Sequence, residues 1–185
     1  MLDTYNEMLA KNGAYIEFRR RFFVDHLNDM IERIYVLLTG KRDEVYIDLV
    51  SQINSDGSYE EINELYKEIL NDVKDIEIER HSTVKGVHVD DLTFYVIRHN
   101  ATKFCSQGQQ RILLLSMLFA QTEIAYAETG DAPVVLLDDI LSELDGERKK
   151  LVLDYLSNYQ VLITTANEET SLVSYINDCK ILEIK

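Results

Sequence analysis

Cys105-Ser106-Gln107-Gly108-Gln109-Gln110-Arg111 opens a long apolar segment. Val134-Val135-Leu136-Leu137-Asp138-Asp139 and Leu141-Ser142-Glu143-Leu144-Asp145 follow it. The fold turns on this stretch. Ser106 with Gln109 three residues later forms a capping box, which marks a helix start. Gly108 then falls on the second helical position, where glycine costs helix stability. It also lets another backbone or a phosphate come close, and a helix tip with free N–H groups and a hydroxyl is an anion site. Capping and anion binding both account for these residues. The second motif is an apolar strand that carries two adjacent carboxylates to its C-terminal end, where open α/β sheets bind ligands. Such acids repel unless a cation sits nearby. One reading is a magnesium site, with Asp138 holding the ion through water and Asp139 polarising an attacking water. The other is that one Asp caps a turn and the other is solvated. Asp145 suits the N-cap of a helix beginning near Glu147. Ser142 suits an ordinary loop, and Thr164-Thr165 suit a strand end.

Downstream, the pattern predicts a helix over 147–156, a strand over 161–165, a helix over 168–176 and a strand over 180–184. Helix and strand alternate from Cys105 onward, which is an α/β pattern with parallel central strands flanked by helices. The uniformly apolar strand 134–137 is expected to be covered on both faces. Upstream, 2–38 is one long helix with apolar residues at Leu2, Tyr5, Leu9, Ile16, Phe23, Leu27, Ile31, Ile34 and Leu38. Its first part is expected to project outward and its last part to dock on the core. A strand over 44–50 and a turn over 54–57 follow. Ser58 then caps a helix whose stripe is Ile62, Leu65, Tyr66, Ile69 and Val73. A loop over 81–86, a strand over 92–97 and a tight turn at Arg98-His99-Asn100 complete this part. Residues 1–100 therefore read as a helical arm with an α+β lobe, and 101–185 as the α/β lobe.

The chain has 185 residues and a net charge of -14. That balance argues against a general nucleic-acid binder but leaves room for local basic patches such as Arg19-Arg20-Arg21. No apolar run reaches the roughly 18 residues needed to span a bilayer, so no membrane association is expected. The N-terminus lacks a secretory pattern. Cys105 and Cys179 fit a reducing, cytoplasmic setting. The phosphate-cradling pattern G-x-x-x-x-G-K-[ST] is missing. The one Gly-Lys pair, Gly40-Lys41, is followed by Arg42, and Tyr35 stands at the first glycine's place. No Cys/His cluster has zinc spacing.

Cys105-Ser106-Gln107-Gly108-Gln109 resembles the signature motif of ABC-type ATPases. The strand ending in Asp138-Asp139 resembles their Walker B segment, and Ser142-Glu143-Leu144-Asp145 their D-loop. Ser106 to Arg111 with Leu136 to Asp145 downstream is similar to the RecF family of DNA replication and repair proteins. Gly86-Val87-His88-Val89-Asp90-Asp91-Leu92 also resembles a motif of that family, with Val87 and Val89 where proline and arginine are usual. The resemblance implies a P-loop NTPase-like, ABC/SMC-type C-terminal lobe lacking the Walker A lobe, which would lie upstream. It implies an ATPase when complete and an inactive fragment alone. Ser106, Gln107, Gly108 and Gln109 would bind ATP held by the other protomer of an ATP-dependent homodimer. Asp138 would help hold Mg2+, and Asp139 would stand at the catalytic position. Ser142 and Asp145 would reach across the dimer. Thr164 or Thr165 would take the switch position. Implied partners are double-stranded or gapped DNA and recombination mediator proteins.

Two other readings follow from the residues. One is a metal-dependent phosphoesterase or nuclease using Asp138, Asp139 and also Asp90 and Asp91. The other is a non-catalytic assembly module built on the first helix.

Overall fold

The structure is a computed structural model that describes residues 2–53, 55–165, 180 and 182. The chain forms two compact units, Met1–Asp29 with Tyr46–Tyr95, and Met30–Val45 with Val96–Lys185. Helix α1 (Leu2–Thr39) contributes to both.

In the first unit α1 does not project outward as expected. Its buried residues are Asn6, Ala10, Ala14 and Glu17, while Leu2, Tyr5, Leu9, Ile16 and Phe23 stay exposed. The reason is close packing on α2 (Tyr59–Asp72), whose core residues Ile62, Tyr66 and Leu70 cluster with Ala10, Ala14 and Ile53. A Cβ on Gly13 would lie 2.4 Å from the Tyr66 ring, so a face of small residues is what admits the aromatic side chain. Helix α2 begins at the expected capping box of Ser58 and Glu61. The stretch after it is a separate helix, α3 (Lys74–Arg80), ended by His81 at φ 53°. Strands β1 (Val45–Val50) and β2 (Asp91–Val96) are sheet neighbours, and Tyr46 stacks on Tyr95 at 4.8 Å.

The segment before β2 is held by polar contacts. Asp90, whose side chain is 1% exposed, accepts from Arg20 at 3.2 Å and from the Gln52 N–H at 3.0 Å. Arg20 also donates to the Val87 carbonyl at 2.6 Å, and the Val87 N–H donates to the Tyr66 hydroxyl at 3.1 Å. Gly86 has φ 138°, and a Cβ there would lie 2.3 Å from that hydroxyl oxygen. Glu17 is fully buried nearby and accepts from Arg21 Nε at 2.8 Å. Burial pushes its carboxyl above the ordinary range, against the pull of Ser51 and Arg21.

In the second unit α1 buries Ile31, Ile34, Tyr35 and Leu38. The tight turn falls at Ile97 and Arg98, both at positive φ, and His99–Asn100 is a short strand, β3. The expected turn at Arg98-His99-Asn100 is therefore shifted toward the N-terminus. A one-turn helix, α4 (Ala101–Phe104), precedes the long α5 (Gln107–Thr129), which stops at Gly130 with φ 76°. Strand β4 (Val134–Asp138), a 3-10 turn (Ile140–Glu143), α6 (Gly146–Leu156) and β5 (Gln160–Thr164) follow. β4 and β5 are parallel, in register from Val134 opposite Gln160 to Asp138 opposite Thr164.

The α/β reading therefore holds, but the expected double coverage of the strand does not. Val135 and Leu137 are buried, whereas Val134, Leu136 and Leu162 are 51%, 68% and 54% exposed. One face of the β4–β5 pair is bare apolar surface. The helix expected over 168–176, most of the strand over 180–184, and Cys179 lie outside the described residues.

Candidate functional site

The tip of α5 is the expected capping box. Ser106 is extended, with φ -65° and ψ 160°. Its hydroxyl oxygen accepts from the Gln109 N–H at 3.3 Å, and its own N–H donates to Gln109 Oε1 at 2.9 Å. The cap uses the hydroxyl as an acceptor only, so its proton is left to donate. The Gln110 N–H reaches the Ser106 carbonyl at 2.9 Å. The N–H groups of Gln107 and Gly108 lie ahead of that bond, among the donors a helix start leaves without an intrahelical partner. Ser106 and Gln107 are exposed. A Cβ on Gly108 would meet only Arg148 Nη1, at 3.5 Å, which is ordinary contact. No packing in the chain demands glycine there. Gln110 steadies the tip from behind, its amide donating to the carbonyls of Ala101, Thr102 and Cys105 at 3.1 to 3.4 Å. Burial raises the Cys105 thiol above its usual value, so it behaves as a small apolar residue.

At the end of β4 both carboxylates are exposed. The Thr164 hydroxyl donates to Asp138 Oδ1, and the Asp139 N–H donates to the Thr164 carbonyl at 3.1 Å. Asp139 has φ 51°, so the backbone turns sharply just where the strand ends. Among the described residues no group of three His, Cys, Asp or Glu side chains is placed to hold a metal. Two adjacent carboxylates and a hydroxyl suit magnesium, which keeps several waters and takes few protein ligands. Thr165 follows β5 and is exposed.

Asp145 caps α6 as expected. Its Oδ1 accepts from the Arg148 N–H at 2.9 Å and its Oδ2 pairs with Arg148 Nη1 at 3.2 Å. Ser142 lies in the 3-10 turn, and its side chain is outside what is described. Asp90, considered above beside Asp138 and Asp139, is buried in the first unit and engaged by Arg20 and Gln52.

These parts meet. A groove of about 560 Å³ is lined by Gln107, Gln110, Arg111 and Leu114 from α5 and by Ile140, two residues beyond Asp138. Arg148 joins Gly108 to Asp145. The helix tip, the strand end and the capped loop thus gather around one groove. Arg148 and Gln110 were not singled out in the sequence. The i, i+3 spacing of Asp145 and Arg148 was a usable signal for the first; nothing local pointed to Gln110.

No family model matches the chain. It is 34% identical over 189 residues to the DNA replication and repair protein RecF of Clostridium tetani (strain Massachusetts / E88), covering 100% of this chain and 51% of that protein. It is 34% identical over 168 residues to RecF of Clostridioides difficile (strain 630), covering 90% and 45%. With RecF of Lactococcus lactis subsp. cremoris (strain SK11) it shares 36% over 165 residues, covering 89% and 44%. A solved structure described as the recombination mediator protein RecF with ATP in the RecFOR pathway superposes with a TM-score of 0.76 at 27% identity. The match covers 91% of this chain and 46% of that one. The chain spans about half the length of the curated relatives it matches.

Proposed function

Over its whole length this chain is homologous to RecF proteins, and from that kinship we propose that it is the C-terminal lobe of a RecF-type ATPase acting in DNA replication and recombinational repair. It carries the signature and Walker B segments of an ABC/SMC-type lobe and needs a Walker A lobe to complete a nucleotide site. The observation that carries this reading is the shared groove, where the first turn of α5 and the residue two past Asp138 form one wall.

In this reading ATP held by a second protomer meets the tip of α5. The Ser106 hydroxyl and the N–H groups of Gln107 and Gly108 donate to γ-phosphate oxygens, and Gly108 leaves them room. The Gln109 side chain stays in the cap and fixes Ser106. Thr164 holds the Asp138 carboxylate toward the cation side of the site. Bound Mg2+ would spread the charge developing on the phosphate oxygens. Asp139 orients and polarises the attacking water, and its side chain, shorter than a glutamate, suits a slow switch. Ser142 and Asp145 reach toward the second protomer, and Thr164 or Thr165 takes the switch position. The bare face of β4 and β5 supports a further lobe packing there, because parallel strands are ordinarily covered on both faces. Double-stranded or gapped DNA and recombination mediators are the proposed partners.

The test joins this chain to a Walker A lobe and measures dimerisation by sedimentation with and without ATP. The joined protein is expected to dimerise only with ATP, and Ser106→Arg to abolish that response. Dimerisation surviving in Ser106→Arg would remove the α5 tip from the nucleotide site.

A further inference from the structure

One face of α1 stands apart from the rest of this acidic chain. At 100° per residue, Met8, Lys11, Tyr15, Arg19, Phe22 and His26 fall within one stripe along the helix, and no Asp or Glu shares it. The opposite face, with Asn6, Ala10, Ala14, Glu17 and Val24, is the buried one. The stripe is apolar and open: Tyr15 is 59% exposed and Phe22 48%. It is also organised. The Arg19 guanidinium lies over the Phe22 ring at 5.6 Å, and the rings of Phe22 and His26 are 4.1 Å apart. Tyr59 of α2 donates to the Lys11 carbonyl at 3.4 Å and, with Tyr15, Phe18 and Arg19, lines a shallow groove of about 340 Å³.

Charge decides what fits. Two copies of the stripe laid together would set Lys11 and Arg19 against like charges, which disfavours self-pairing. A nucleic-acid strand would meet two full cations on a protein of net charge -14, too few to offset the repulsion of a phosphate at every nucleotide. An acidic amphipathic helix avoids both costs. Its apolar anchors, spaced at i, i+3/i+4 and i+7, sit against Tyr15, Phe18 and Tyr59. Its carboxylates pair with Lys11 and Arg19 at the rim.

We propose that this face of α1 is a docking surface for an acidic amphipathic helix of another protein, separate from the nucleotide site. The test is selection of a phage-displayed library of 16-residue amphipathic helices, with charged positions randomised among Glu, Lys and Ser, on this chain. Glu-rich helices are expected to enrich. A synthetic winner should bind at least tenfold more weakly to Arg19→Glu and to Tyr15→Ala, both checked for an unchanged circular dichroism spectrum. Lys11→Glu is the substitute if either misfolds. Enrichment of Lys-rich helices, no enrichment, or winners indifferent to these substitutions would each overturn the proposal. So would a fluorescent dT20 oligonucleotide that binds and is lost in Arg19→Glu, because that outcome assigns the face to nucleic acid.

Discussion

Gly86 and Gly108 both lie in short polar motifs beside a conspicuous aspartate or serine, and the chain treats them in opposite ways. At Gly86 the protein itself fills the missing side chain's space: the Tyr66 hydroxyl would be 2.3 Å from a Cβ, and φ is 138°. At Gly108 only the tip of Arg148 comes within contact distance, at 3.5 Å, on an exposed helix start. The first glycine, with Asp90 buried behind it, is explained by the fold. The second is not, and residues that folding leaves unexplained are where a ligand is worth seeking.

The sharpest way to break this contrast is at Asp90. Asp90→Ala leaves Arg20 and the Gln52 N–H without their carboxylate and is expected to cost about 3 kcal/mol. Thermal unfolding should then fall by roughly 6–12 °C for a chain of this size. Gly86→Ala comes next, at about 2 kcal/mol from overlap with Tyr66 and the positive φ. Adding Tyr66→Phe should recover part of that, because the hydroxyl is the atom in the way. Ser106→Ala should cost about 1 kcal/mol through the lost cap. Gly108→Ala should go the other way, gaining about 0.5 kcal/mol in urea unfolding, while weakening ATP-dependent dimerisation in the protein joined to a Walker A lobe. If Gly108→Ala destabilises as Gly86→Ala does, the two glycines are alike and the contrast fails.

The smallest effect is a pH slope. Burial holds Glu17 above its ordinary 4.5, so the folded chain keeps this proton longer than the unfolded one. The stability it contributes is present below about 4.5 and is lost as pH rises through the raised value. Glu17→Gln should flatten that decline in urea midpoints measured from pH 4 to 8.

Much of the second unit was legible, because caps and strand ends are local. Ser106 with Gln109, Gly130 after Thr129, and the apolar run into Asp138 each announce their element within a few residues. The inward face of α1 was not legible. Counting large apolar residues pointed to Leu9, Ile16 and Phe23, whereas Ala10, Gly13 and Ala14 face α2 to admit Tyr66, a partner about fifty residues away in sequence. Likewise an apolar strand says that it wants cover, but not whether this chain supplies it. At the site, the acids and the helix tip were visible in the sequence. The Thr164 hydroxyl on Asp138 was not, since the register of β4 against β5 makes it.

That register has a practical consequence. Leu136 and Leu162 sit side by side on an open two-stranded sheet, a surface that sticks to its own kind and attracts chaperones. Handled alone, the chain should grow turbid as it is concentrated, and whatever roofs those two leucines should act as its solubiliser as well as its companion in work.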